Sequence, residues 1–164
     1  MDIKLLVRKK IRLEGYDYSN AGCYFITICV KDEHEVFGHV VGAISNRPCM
    51  ELSEIGKIAE RTISELNKGI VIDKYVIMPN HVHMFIRIED NGRTEFAPTI
   101  SSIIRFYKSR ITKQIGYSIW QKSYHDYIIR NEKNYQYIWQ YIDENPARWV
   151  EDRYYGGGMN GKTI

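Results

Sequence analysis

Two histidines one residue apart, His81 and His83, stand in the run Tyr75-Val76-Ile77-Met78-Pro79-Asn80-His81-Val82-His83-Met84-Phe85. Side chains alternate between the faces of a strand, so a strand here sends both imidazoles to the same side. Two neutral imidazoles on a rigid element are natural ligands for a divalent ion. The blander alternative is a strand carrying one satisfied polar pair, and the choice turns on what else the chain supplies. A catalytic ion needs a third protein ligand and open positions for substrate. Glu89 and Asp90 fall at the far end of the same strand, but Tyr141 and Asn145 are four apart and share a helix face just before Pro146. An amide oxygen is a hard ligand suited to magnesium or manganese. A phenol one turn away is placed to attack a metal-polarised phosphate. Tyr135 and Tyr137 lie on the same helix and are the rival hydroxyls.

The elements that must carry these residues are readable. Gly22-Cys23-Tyr24-Phe25-Ile26-Thr27-Ile28-Cys29-Val30 is β-branched and aromatic, a buried strand. A weaker strand pair is expected across 36–52, interrupted by Ser45-Asn46-Arg47-Pro48. Ser53 caps a helix over 54–68, with Ile55, Ile58, Ala59, Ile63 and Leu66 at helical spacing. Strands over 70–78 and 81–88 meet at Pro79, which cannot donate a ladder hydrogen bond. Thr99 caps a helix over 100–115 that Gly116 ends, and 118–129 holds a short strand. Asn131 caps a last helix over 132–144, closed by Asn145-Pro146. This order predicts an α+β sandwich, an antiparallel sheet with helices on one face. One domain over 1–153 is expected, with a mobile tail over 154–164.

Composition excludes several classes. Hydrophobic residues make up 44% of the 164 and charged residues 26%, the balance of a soluble globular protein. No apolar run approaches the ~20 residues that span a bilayer, and the first residues do not fit a signal peptide, so a cytoplasmic protein without membrane partners is expected. Cys23, Cys29 and Cys49 suggest neither a disulfide framework nor a zinc knuckle. The net charge of +3 says little, but its distribution says more. Arg8, Lys9, Lys10 and Arg12 form one cluster and Arg105, Lys108, Arg110 and Lys113 another, both compatible with phosphate contacts or with solvated helix faces. Thirteen tyrosines, many interleaved with Arg and Lys after position 107, suit stacking on unpaired bases.

His81-Val82-His83 resembles the histidine-hydrophobic-histidine motif of the HUH single-tyrosine transposases, specifically the REP-associated tyrosine transposases and their insertion-sequence relatives. The resemblance extends in order through Ile11-Arg12-Leu13, Gly15-Tyr16-Asp17-Tyr18, Tyr24 to Cys29, Tyr75 to His83, Trp120-Gln121, His125 to Glu132, Tyr141-Ile142 and Asn145-Pro146. It implies a ferredoxin-like α+β core with a C-terminal helix carrying the tyrosine. It also implies cleavage of single-stranded DNA at a hairpin, followed by strand transfer. Tyr141 matches the nucleophile, which forms a 5′-phosphotyrosine link and frees a 3′-hydroxyl. His81, His83 and Asn145 match the ligands of Mg2+ or Mn2+, although the insertion-sequence relatives carry glutamine at the last position. Some relatives are homodimers that exchange the tyrosine helix. Two other functions compete: a domesticated hairpin-binding protein without cleavage, and a metal-dependent phosphodiester hydrolase that activates water and does not need Tyr141.

Overall fold

Along β1 (Gly22–Cys29), Tyr24, Ile26 and Ile28 alternate with Phe25, Thr27 and Cys29, and that alternation divides the protein into two layers. The computed structural model describes residues 20–42, 47–66, 70–89 and 98–155. A β2–β3 hairpin (Gly38–Val41, Cys49–Leu52) precedes α1 (Glu54–Glu65). There follow β4 (Val71–Met78), β5 (His81–Ile88), α2 (Ile100–Ile115), β6 (His125–Ile129) and α3 (Glu132–Glu144). The large sheet is antiparallel in the order β4-β5-β1-β6, and β2–β3 forms a separate small sheet. With that hairpin set aside, the chain runs β-α-β-β-α-β, the ferredoxin-like arrangement.

One face of the sheet carries Tyr24, Ile26, Ile28, Val82, Met84 and Ile86, buried under α1 and α2 through Ala59, Ile63, Ile103, Ile104, Tyr107 and Ile111. The other face carries Phe25 and Phe85 against Ile138 and Ile142 of α3. Thus α1 and α2 share one face, as the sequence order predicts, and α3, the terminal helix bearing Tyr141, stands on the opposite face.

The helices start where their polar caps allow. Ser53 accepts from the Gly56 N–H at 3.0 Å, and the Thr99 and Ser102 side chains form a reciprocal box at the start of α2. Asn131 accepts from the Asn134 N–H at 2.8 Å to begin α3. Gly116 ends α2 in the left-handed region at φ 88°. Gly56 is required by packing, because a Cβ there would lie 2.1 Å from the Phe37 carbonyl oxygen. The first helix is shorter than the spacing predicts, ending at Glu65 with Leu66 as its cap.

Candidate metal and tyrosine site

Register puts the two histidines side by side. On β5, His83 pairs with Thr27 of β1 and His81 with Cys29, so both face the α3 side of the sheet. His81 is 0% exposed and His83 1%. Their Nε2 atoms lie 3.0 Å apart.

Asn80 determines which nitrogen of His81 carries hydrogen. Its Nδ2 donates to the backbone carbonyls of Tyr154 (2.7 Å) and Glu33 (3.3 Å), which leaves Oδ1 facing His81 Nδ1 at 2.9 Å. That oxygen only accepts, so Nδ1 donates and Nε2 keeps its lone pair for a ligand. Across the strand, His83 Nδ1 meets the Thr27 hydroxyl at 2.8 Å. A hydroxyl both donates and accepts, so Thr27 suits either neutral form of His83. Burial holds both imidazoles neutral. His83 is pushed down to about 3, with the Arg153 charge adding to the effect, and His81 is lowered well below its usual value.

From α3, Tyr141 brings its hydroxyl to 3.3 Å from His83 Nε2 and donates to Asp152 Oδ2 at 3.3 Å. Burial, then the Asp152 carboxylate, raises the Tyr141 pKa and keeps the phenol protonated. Asn145 is 1% exposed and donates through Nδ2 to the same Asp152 oxygen at 3.1 Å. Its Oδ1 is buried without a hydrogen-bond partner among the described residues. An orphaned amide oxygen on a side chain that shares Asp152 Oδ2 with Tyr141 fits a cation ligand. The structure therefore gathers His81, His83, Tyr141 and Asn145 at one place.

Sequence reasoning missed Asp152, and with it the segment that carries it. After α3 the chain makes a 3-10 stretch, Asn145–Glu151, which seats the buried Trp149 ring 5.9 Å from His81. Asp152 then accepts the Tyr154 N–H on Oδ1 at 2.8 Å. One oxygen of Asp152 and one nitrogen of each histidine all lie within 4.8 Å of one another. Tyr154, expected to open a mobile tail, instead packs its ring 4.5 Å from that of His81, because Asn80 binds its carbonyl. Residues 156–164 lie outside the described residues. Beside the histidines, a cavity of about 560 Å³ is lined by Cys29, Asn80, Gln121, His125, Arg153 and Tyr154 among others.

The basic candidates separate. Arg105, Lys108 and Lys113 line a cleft with Trp120 and Lys122. Lys108 donates to the carbonyls of Gln121 and Ser123 and so braces that loop. Arg110 instead pairs with Glu65 on α1 at 2.8 Å. Arg8, Lys9, Lys10 and Arg12 lie outside the described residues. Among the described residues no helix is long and apolar enough to cross a membrane.

No family model matches the chain. An uncharacterized protein of Haemophilus influenzae is 33% identical over 172 residues, spanning 90% of this chain and 93% of its own. A REP-associated tyrosine transposase, solved bound to a REP hairpin, superposes with a TM-score of 0.63 at 20% identity, over 84% of this chain and 74% of that one. A putative transposase from Deinococcus radiodurans gives a TM-score of 0.44 at 17% identity, over 81% of this chain and 95% of that one.

Proposed function

The chain belongs to the family of the uncharacterized Haemophilus influenzae protein, and from that premise and the fold it shares with the REP-associated tyrosine transposase we propose that it is a metal-dependent tyrosine transposase, a strand transferase that cleaves single-stranded DNA at hairpins. The observation that carries this reading is the approach of the Tyr141 hydroxyl to within 3.3 Å of His83 Nε2, beside the paired imidazoles. A structural tyrosine has no need of two buried histidines whose Nε2 atoms converge.

His81, His83 and Asn145 would hold Mg2+ or Mn2+, the histidines through Nε2 and the amide through its unpartnered oxygen. Such an ion supplies Lewis-acid polarisation of a phosphate oxygen. Tyr141 Oη attacks phosphorus as its proton passes to its hydrogen-bond partner Asp152 Oδ2, the bond to the 3′-oxygen breaks, that oxygen takes up a proton, and a 5′-phosphotyrosine and a free 3′-hydroxyl result. The ester bond is exchanged rather than spent, so the step consumes no nucleotide, although Gly156 to Thr163 spell GxxxxGKT. Packing by Phe25, whose ring meets Tyr141 edge-on at 5.9 Å, holds the nucleophile in place. The neighbouring cavity has room for a nucleotide flanking the scissile phosphate, with the Arg153 cation at its wall.

Incubating the protein with labelled hairpin DNA and Mg2+ or Mn2+ tests this by an SDS-stable protein–DNA adduct. Tyr141→Phe should lose the adduct and retain hairpin binding. Cleavage that survives Tyr141→Phe would replace the reading with water-mediated hydrolysis, and binding without any cleavage would replace it with a hairpin-binding protein.

A further inference from the structure

Two neutral imidazoles and one neutral amide leave both charges of a divalent ion uncompensated. His81, His83 and Asn145 are each no more than 1% exposed, so that charge would be held away from water. An anion is needed, and we propose that Asp152 supplies it as a protein ligand of the metal, making the site a His-His-Asn-Asp set. The inference rests on reading His81 and His83 as a metal site.

Distances support it. Two donors each ~2.1 Å from one ion at a right angle are about 3.0 Å apart, and the histidine Nε2 atoms are 3.0 Å apart. Donors across an octahedral ion are about 4.2 Å apart, and the Asp152 oxygen lies within 4.8 Å of both histidines. With the histidines cis to one another, the third donor stands about 3.0 Å from at least one of them, so loading the ion draws the Asp152 carboxylate inward.

Asp152 is also held as a ligand is held. Its Oδ1 accepts the Tyr154 N–H at 2.8 Å, and Tyr141 and Asn145 donate to Oδ2 at 3.3 and 3.1 Å. Asn80 orients His81 through Oδ1 and fastens the Asp152 turn through Nδ2 to Tyr154. One amide thus sets both the first histidine and the carboxylate, the outer-shell arrangement that metal sites use. Since Oδ2 is the atom that Tyr141 contacts, Asp152 also links the nucleophile to the ion. The carboxylate and amide oxygens suit Mn2+ and Mg2+, while the two imidazoles also accept borderline ions such as Zn2+.

The test is Mn2+ titration of the full chain without DNA, read by the paramagnetic resonance of the free ion. Wild type should bind, His83→Ala should not, and Asp152→Asn should bind about tenfold or more weakly with unchanged melting in metal-free buffer. A residue acting only through Asn145 would give a similar loss, so a second variant decides. Asp152→Cys with Cd2+, in a background where the free Cys23, Cys29 and Cys49 are changed to Ser, should produce a thiolate-to-metal charge-transfer band that the parent background lacks and that His83→Ala removes. Mn2+ affinity unchanged in Asp152→Asn overturns the proposal and leaves the histidine site standing, as does absence of the band in Asp152→Cys. Failure of wild type to bind Mn2+ overturns both. If Asp152→Asn does not fold, the presence or absence of the cadmium band decides alone.

Discussion

Asn80 sets the tautomer of His81. Its Nδ2 is committed to two backbone carbonyls, so its Oδ1 must receive the hydrogen of His81 Nδ1 at 2.9 Å. Asn80→Ala removes all three bonds from a side chain that is nearly fully buried. Leaving buried carbonyls and an N–H unpaired costs about 1–3 kcal/mol each, so melting should fall measurably. Losing the outer-shell partner of a ligating histidine weakens metal binding about 10–100-fold. Calorimetric melting and Mn2+ titration read the two effects, and full Mn2+ affinity in Asn80→Ala would refute this role.

Tyr137 lies one helical turn before Tyr141, so the two hydroxyls offer a direct contrast. The Tyr141 hydroxyl makes only long contacts of 3.3 Å, so Tyr141→Phe should change stability by no more than about 1 kcal/mol. It should nonetheless abolish the covalent DNA adduct, while Tyr137→Phe retains it. An adduct formed by Tyr141→Phe and abolished in Tyr137→Phe would reassign the nucleophile.

Acid should unfold this protein through its histidine pair. His83 is neutral in the folded state, its pKa lowered from 6.5 to about 3 by burial, and His81 is lowered in the same direction. Between those values the unfolded chain binds a proton that the folded chain refuses, so stability rises with pH. The contribution is complete above pH 6.5 and declines on acidification, by ~1.4 kcal/mol per pH unit for each histidine wholly in its window. Urea melts between about pH 7 and pH 5, spanning the ordinary histidine range, should show this slope. His83→Gln should flatten it by one proton, and an unchanged slope would mean that His83 is charged in the folded protein.

Local signals made most of the fold legible. Alternation along Tyr24 to Cys29 and His81 to Ile88, and the caps Ser53, Thr99 and Asn131, are short-range chemistry, and the elements begin within a residue or two of where they predict. His81, His83, Tyr141 and Asn145 were legible for the same reason, since strand and helix periods fix which side chains share a face. The pairing of β1 with β6 joins strands far apart in the chain, and no local pattern encodes it. Asp152 was illegible because it follows a 3-10 stretch kinked at Arg148, where neither period holds. Tyr154 looked like tail because its anchor is the Asn80 amide, 74 residues away. Asn80 stood in plain view beside His81, but its role depends on carbonyls that only the folded chain presents.

The basic residues of α2 should not contribute equally to DNA binding. Arg105 and Lys113 line the cleft with Lys122, where a phosphate backbone meets several cations at once. Arg110 is directed away, towards Glu65, and its charge is already matched. Removing one cation from a phosphate should lower the slope of log affinity against log salt by about 1. Arg105→Ala and Lys113→Ala should therefore weaken hairpin binding and flatten its salt dependence, while Arg110→Ala leaves both near wild type. Lys108→Ala differs again: its ammonium braces two loop carbonyls, so it should lower melting as well as affinity. Fluorescence anisotropy over a salt series distinguishes these cases. Equal effects from Arg105→Ala and Arg110→Ala would mean that the protein's overall charge, and not this cleft, meets the DNA.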